Sequence, residues 1–581
     1  MRPSMLWGTA ALLVASGLQG QTGDPMAPAA ERVTGLADEY VRAYVRAFPV
    51  SAELAGLTDG PHDRLDANDP AALRAWRVRE DGWAAELAGI DGAALWGRPE
   101  WVIYGFLREA IEASRGQRVC RLELWPVSQM NGWQTLLPAI AEGQPVGDPD
   151  ARRDALRRWS GFPRWLDVEM RNAREGLRAG YSTPRPAAEV VRRQLDGLLA
   201  LADTAWPVWS PAARDSSPRF REEWRQLIAR RLRPAVARYR DFLVREYLPR
   251  ARENLAVSAH PDGEACYRAA FRANTSIDRP PEETFRLGEA AVARNHEEMR
   301  EIGRRTVGTD DLAALLSALD SAPGARFAER DEQLAYVRDA VERARIAMPE
   351  WFGQLPTAAV VVEPYPPFLE QGTFDRYDVA PEDGSRSATY RINLREPARA
   401  TRARAEITAF HETYPGHHLQ IALAQSRRSH PITRLVWTGA FGEGWARYAE
   451  GLAEEIGLYR APLAPLARRA WPAHGMVADV GLHLLGWPGE RVAAYVAEGR
   501  LVPPGQEMEQ LVLRFAVLPG QITAYDTGAL EIRALRAEAE RALGPRFDLK
   551  GFHDRVLANG AITLPMLRES ITRWIAEQGS P

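Results

Sequence analysis

The sequence predicts a mainly α-helical fold with one small antiparallel β-sheet, and three observations carry that expectation. Apolar residues recur at helical spacing over most of the chain. One stretch, 357–394, trades that period for β-branched and alternating residues. No internal repeat or low-complexity tract interrupts the pattern.

The elements follow in order. Met1-Arg-Pro-Ser leads into an apolar run from Met5 to Val14, then Ala15-Ser16-Gly17. A charged start, a short apolar core and a small-residue end make a secretory signal over 1–22, with cleavage expected within 17–24. The run is short for a bilayer, no cysteine follows it to carry a lipid, and no later segment is apolar enough to span. The expected location is therefore the periplasm or the medium, with no integral membrane span. Residues 30–580 read as a single helical domain, with 30–350 as its N-terminal helical part and 351–580 carrying the sheet and the candidate metal site.

Residues 31–57 carry Val33, Leu36, Tyr40, Val41, Tyr44, Val45 and Phe48 at helical spacing, and 185–205, 218–246 and 328–349 look alike. Pro280-Pro281-Glu282-Glu283 opens a helix over 281–303, with proline and acids in its first turn. The Pro/Ser-rich 206–217 reads as a loop. Thr357–Glu363 and Ser387–Leu394 read as strands, with the Pro/Gly-rich segment between them as a long loop. Helices then follow over 401–427, 440–458, 463–486, 489–499, 521–543 and 564–577.

Net charge is −3 with a sequence pI near 6.4, and arginines alternate with acids, so no basic footprint for nucleic acid exists. Two cysteines, Cys120 and Cys266, read as one disulfide in an exported chain, the alternative being two buried thiols.

The most informative residues are 409–420, Ala-Phe-His-Glu-Thr-Tyr-Pro-Gly-His-His-Leu-Gln. Converging imidazoles can hold a transition metal, and a neighbouring carboxylate such as Glu412 can move a water proton. In the ordinary His-Glu-x-x-His helix the ligands sit four apart. Here the second histidine comes six or seven residues after His411. A straight helix would separate those positions by about 9–10.5 Å along its axis, whereas both imidazoles must come within about 2.1 Å of one zinc ion. Pro415 removes a helical hydrogen bond, and Gly416 tolerates the backbone angles of a repair. Looping out two residues brings His417 to the second ligand position; looping out three brings His418. Glu443, in Phe441-Gly-Glu-Gly-Trp-Ala-Arg-Tyr-Ala-Glu450, leaves room for a turn through Ser429–Thr438 and a returning helix, and is the third-ligand candidate. Glu450 lies two turns further along the same face. One zinc ion is the expected cofactor, and a small peptide or amide the expected partner; manganese or cobalt would suit such donors too.

Tyr525 and His553 are candidates for stabilising an oxyanion. Asp479 and His483, one turn apart, are candidates for supporting a ligand or touching substrate. Each of these four is equally compatible with a packed polar residue. The strand Tyr390–Leu394, carrying Asn393, is a candidate for pairing with substrate backbone.

With these residues in view, the chain resembles the bacterial family DUF885, and through it zinc peptidases of the His-Glu type whose third ligand is a glutamate. The matching pieces are Cys120 to Trp133, His411 to Gln420, Glu443 to Ala446, Asp479 to His483 with Gly486-Trp487, Pro519-Gly-Gln521 with Tyr525, and Phe552-His-Asp554. The resemblance covers about 35–575. It implies a large helical zincin-like metallopeptidase fold with a deep cleft. It also implies a metal site of His411, the histidine after Gly416 and Glu443, with Glu412 as general base. Two other readings stay open: a metal hydrolase of a non-peptide amide or ester, and an exported metal-binding scaffold without turnover.

Overall fold

Two facts of the backbone set the architecture: proline positions cut the apolar-periodic stretches into helices, and one β segment crosses over before the candidate site. The computed structural model describes residues 27–366, 370, 375–380, 386–427, 429–436, 438–502 and 505–579. The signal expected over 1–22 lies outside them.

Helix Ala27–Ala47 buries Val33, Leu36 and Tyr40, as its period predicts, but Pro49 opens a second helix, Pro49–Leu54, so 31–57 is two elements. The helix expected over 218–246 runs from Pro218–Leu227 through two widened π turns, Ile228–Leu232 and Leu243–Tyr247, around Arg233–Phe242. Pro234 has no N–H to donate, which accounts for the widening just ahead of it. The expected 463–486 helix is split into Ala464–Ala470 and His474–His483 at Trp471-Pro472-Ala473, where Ala473 has φ 71°. The stretch 206–217 is not plain loop; it holds short turns at Pro207–Trp209 and Ser210–Arg214.

The largest apolar core joins Val33, Trp76 and Phe106 from the first helices to Phe410, Trp445 and Leu567 from the last. Residues on both sides of 350 thus share one core. A second core is built from Trp133–Gly143, Pro149–Ala179, Arg185–Ala200 and the 218–247 stretch. Cys120 and Cys266 form a disulfide across 146 residues of sequence. It pins helix Gly263–Thr275 beside a cluster that includes Tyr267 and Val480. Among the described residues no helix is long and apolar enough to cross a membrane.

The sheet departs from expectation. It has three strands, β1 (Val360–Pro364), β2 (Arg376–Asp378) and β3 (Ala388–Ile392), in the order β1-β3-β2. β1 pairs parallel with β3 (Val362 opposite Tyr390), and β2 antiparallel with it (Tyr377 opposite Tyr390), so the sheet is mixed. The reason is the length of the connection. More than twenty residues separate β1 from β3, enough for the crossover that parallel pairing needs, and the middle of that segment supplies β2. β3 is central, with both edges taken. The Tyr390–Leu394 strand thus cannot accept substrate backbone along Tyr390–Ile392. The chain leaves β3 for the candidate site through Thr401, whose hydroxyl caps helix Arg402–Glu412 by accepting from the Arg404 N–H at 3.3 Å.

Candidate metal centre

The expected helix over 401–427 is two helices, Arg402–Glu412 and His417–Ser426, joined by a tight bend with a cis Tyr414–Pro415 peptide. Two backbone hydrogen bonds define the bend. Gly416 N–H donates to Phe410 C=O at 3.0 Å, and Leu419 N–H to Thr413 C=O at 3.3 Å. Each spans six residues where a regular helix spans four, so the bend holds a two-residue excess. His417 consequently stands where the fourth residue after His411 would stand, and the two rings meet edge to face at 4.8 Å. Gly416 is required by contact with the backbone of the preceding helix. A Cβ there would lie 1.9 Å from the His411 carbonyl oxygen.

Glu443 arrives on helix Gly439–Glu455, which packs closely against Thr523–Leu543. The approach needs glycine on both sides: a Cβ on Gly528 would sit 1.7 Å from the Ala440 carbonyl oxygen, and one on Gly444 2.5 Å from Gly528 Cα. Glu443 Oε2 lies 3.6 Å from His411 Nε2 and 3.4 Å from His417 Nε2. All three donor atoms fall within 4.8 Å of one another. Donors about 2.1 Å from a tetrahedral ion lie about 3.4 Å apart, so this set fits zinc. Among the described residues it is the one such His/Cys/Asp/Glu group.

The charges around the group favour a cation. Glu450 Oε1 accepts from His411 Nδ1 at 2.9 Å, and Arg447 Nη1 donates to both Glu450 oxygens at 2.9 and 2.8 Å. A carboxylate only accepts, so His411 Nδ1 carries hydrogen and, in the neutral ring, Nε2 turns its lone pair toward Glu443 and His417. Burial works against a charged His411, but the facing carboxylates of Glu443 and Glu450 outweigh it and lift the ring to about 10. Burial likewise opposes ionisation of Glu443, yet the two histidines hold it well below the usual carboxylate range. His417 Nδ1 is buried with no partner among the described residues, so no hydrogen bond at that nitrogen fixes the ring.

Glu412 follows His411 directly. Burial raises its pKa, against the pull of His411 and His417 and of the nearby backbone N–H of Tyr377 on β2. Asp375 lies near enough to act on Glu412 electrostatically. It accepts from Asn393 N–H at 2.7 Å and Tyr390 Oη at 2.8 Å, and burial pushes it up to about 6. Tyr525 stacks on His411 at 6.4 Å and 18°, and its Oη accepts from Arg514 Nη2 at 3.2 Å. Burial, with Glu443 nearby, pushes it up to about 12.

Several expected residues lie elsewhere or do other work. His418 turns away: Nδ1 meets Tyr377 Oη at 3.0 Å, and Nε2 meets Ala358 C=O and Tyr414 Oη, each at 3.1 Å. His553 is core, with Nε2 on Tyr448 Oη and Nδ1 on Trp351 C=O, both at 2.9 Å, and its ring stacked on Phe352. Burial depresses it to about 4. His483 accepts from Val257 N–H through Nδ1 and meets Phe515 C=O through Nε2, both at 3.0 Å. Asp479 accepts from Tyr267 Oη at 2.6 Å and Gly520 N–H at 2.9 Å. Both residues are fully buried and tie the disulfide-bearing helix to the 474–483 helix and the turn before Tyr525. Asn393 braces the loop ahead of β2, donating from Nδ2 to Glu370 C=O at 2.7 Å as well as from its N–H to Asp375.

Sequence reasoning passed over Asp375, Tyr377 and Arg447. Arg447 had a signal: it precedes Glu450 by three residues, the spacing of an ion pair on one helix face. Asp375 and Tyr377 sit in an aperiodic segment that carried none.

The whole fold has solved counterparts. A Colwellia psychrerythraea protein provisionally described as a lipoprotein matches with a TM-score of 0.84 and 22% identity, over 94% of this chain and 99% of that one. A Shewanella oneidensis protein, likewise described and of unknown function, matches with a TM-score of 0.76 and 18% identity, over 93% of this chain and 99% of that one. At these identities the likeness is one of fold. No curated protein matches the chain. A family model described as a bacterial protein of unknown function (DUF885) matches residues 49–571.

Proposed function

The chain belongs to the bacterial family of unknown function DUF885, and from its own site geometry we propose that it is an exported, zincin-like zinc metallopeptidase acting on small peptides or related amides. One observation carries the reading: His411 Nε2, His417 Nε2 and Glu443 Oε2 converge at ion-binding separations beside an unspent carboxylate, Glu412. A binding scaffold has no use for such a base.

Zinc bound there would supply a Lewis acid for a scissile carbonyl and lower the pKa of a water held with it. The chain supplies the rest. Glu412, with its pKa raised by burial, takes the proton of the attacking water and passes it to the leaving nitrogen. Tyr525 Oη, with Arg514 beside it, offers donors to the developing oxyanion. Glu450 holds His411 in the tautomer that frees Nε2. β2 is an edge strand whose Tyr377 N–H lies near Glu412, so extended substrate would lie along it rather than along β3. Export is supported by the N-terminal signal pattern and by the disulfide, a bond of oxidising compartments.

The test compares wild type with Glu412→Gln for zinc content and for cleavage of a mixed peptide library. The variant keeps its zinc and loses cleavage. A zinc-loaded wild type that cleaves nothing in a broad library ends the peptidase reading, and cleavage of amides or esters only would move the assignment to a non-peptide hydrolase.

A further inference from the structure

A second polar site lies on another face of the helix that carries Glu443. A hollow of about 520 Å³ opens between helix Pro281–Thr306, helix Gly439–Glu455 and helix Thr523–Leu543. None of the three converging metal donors lines it. Its wall is rich in charge, and each wall carboxylate already has a partner. Glu298 pairs with Arg469, Glu455 and Glu540 with Arg536, and Asp526 with Arg447 and the Ala473 N–H.

Among the described residues two wall arginines have no carboxylate at contact distance, the exposed Arg294 and the partly buried Arg533. The one hydrogen bond of Arg533 among the described residues is a long contact, 3.5 Å, from Nη2 to the Arg447 carbonyl oxygen. Burial lowers its pKa and the neighbouring Arg468 lowers it further, while Asp526 and Glu450, neither of them at salt-bridge distance, offset only part of this. A partly buried guanidinium without a carboxylate at contact distance is costly, and here a second guanidinium is turned toward it. Arg468 is held through Nε by Glu454, and its Nη1 reaches forward. A Cβ built on Gly451 would lie 3.6 Å from Arg533 Nη2 and 3.7 Å from Arg468 Nη1. The bare glycine face thus marks a point over which two guanidinium tips converge. Like charges brought together at the edge of a hollow are stabilised by an oxyanion between them.

We propose that this hollow is a binding site for a small molecule bearing an oxyanion group, phosphoryl or carboxylate, gripped between Arg533 and Arg468 above Gly451. The volume exceeds what a bare ion needs and suits a small organic ligand. The site does not depend on the metallopeptidase reading. It is nonetheless joined to the metal centre by contact, since Asp526 in its wall meets Arg447, Arg447 holds Glu450, and Glu450 holds His411.

Calorimetric titration of the full chain at low ionic strength tests this, with inorganic phosphate and succinate in separate arms. At least one anion saturates one site per chain, and the stronger arm tells phosphoryl from carboxylate chemistry. Arg533→Gln weakens that binding at least roughly tenfold, because the principal donor is gone. With no anion present, the same variant melts no lower than wild type, because an unpaired charge has been removed. Three results overturn the proposal. They are no saturable binding of either anion to wild type, binding unchanged by Arg533→Gln (which places the anion elsewhere, the metal centre included), or a melting temperature several degrees below wild type in the anion-free variant, which marks Arg533 as a structural arginine.

Discussion

Replacing Gly416 by alanine perturbs the candidate metal centre without touching a candidate ligand. The added methyl would sit 1.9 Å from the carbonyl oxygen of His411 and 2.5 Å from that of Phe410. Both are backbone atoms, so no side-chain rotation relieves the contact. The His411 carbonyl must retreat by about 1 Å to regain van der Waals separation. The 416–410 hydrogen bond that closes the two-residue excess lies at the same point and opens with it. Zinc sites hold their ligand distances to within about 0.2 Å, so a shift several times larger takes His411 Nε2 out of register with His417 and Glu443. A misplacement of about 1 Å in a preorganised site costs on the order of a hundredfold. Zinc affinity of Gly416→Ala therefore falls by roughly a hundredfold or more, equivalent to about 2.7 kcal/mol. Competition against a chromophoric zinc chelator measures it, with Gly116→Ala as control because open space surrounds that glycine. If Gly416→Ala binds zinc within threefold of wild type, the bend does not position His411 and the register argument fails.

Three further outcomes follow from the same geometry. His417→Ala loses zinc by the same chelator competition, whereas His418→Ala keeps most of it and instead melts lower, since it strands Tyr377 and Tyr414 around a buried hole; the reverse ranking would reject the two-residue reading. Glu169, buried and bonded to Asn68 Nδ2 at 2.8 Å, has its pKa raised by burial to about 7 from 4.5. Below about pH 4.5 both folded and unfolded states hold its proton, and the group costs nothing extra. As the pH rises from 4.5 to 7 only the unfolded state ionises, so stability falls, by about 3 kcal/mol in all, and stays lower above pH 7. Glu169→Gln keeps the acceptor for Asn68 and cannot ionise. In urea unfolding it gains on wild type at pH 8 relative to pH 4.5, and an equal difference at both values would refute the assignment. Breaking the disulfide with Cys120→Ser and Cys266→Ser together frees a loop spanning 146 residues, which chain entropy values at about 5 kcal/mol. Reversible chemical unfolding of the double variant measures the loss, and a loss below about 1 kcal/mol would show that the helices hold that corner without it.

What the sequence made legible was chemistry concentrated in a short stretch. His411, Glu412, Pro415, Gly416 and His417 stand within seven residues, and Pro-Gly announces where a helix must break. The bend's hydrogen bonds have the two-residue excess that puts His417, rather than His418, at the fourth position. Glu443 was legible because its distance along the chain allows a turn and a return helix, and because Gly442 and Gly444 around it signal close packing. The sheet's hand of pairing was not, since β1 and β3 look alike whether the chain returns by a hairpin or crosses over. Nor could residue type separate His411 from His418, His483 and His553. All four rings are largely enclosed, and what distinguishes them is what faces each nitrogen. In the last three both ring nitrogens meet protein groups that complete their hydrogen bonds, so nothing is left to bind an ion. In His411 one nitrogen is fixed by Glu450 and the other faces a carboxylate and a second imidazole. That asymmetry, one nitrogen anchored and one turned toward further donors, is what an imidazole ligand requires. It is a property of tertiary contacts that no spacing of histidines along a chain can encode.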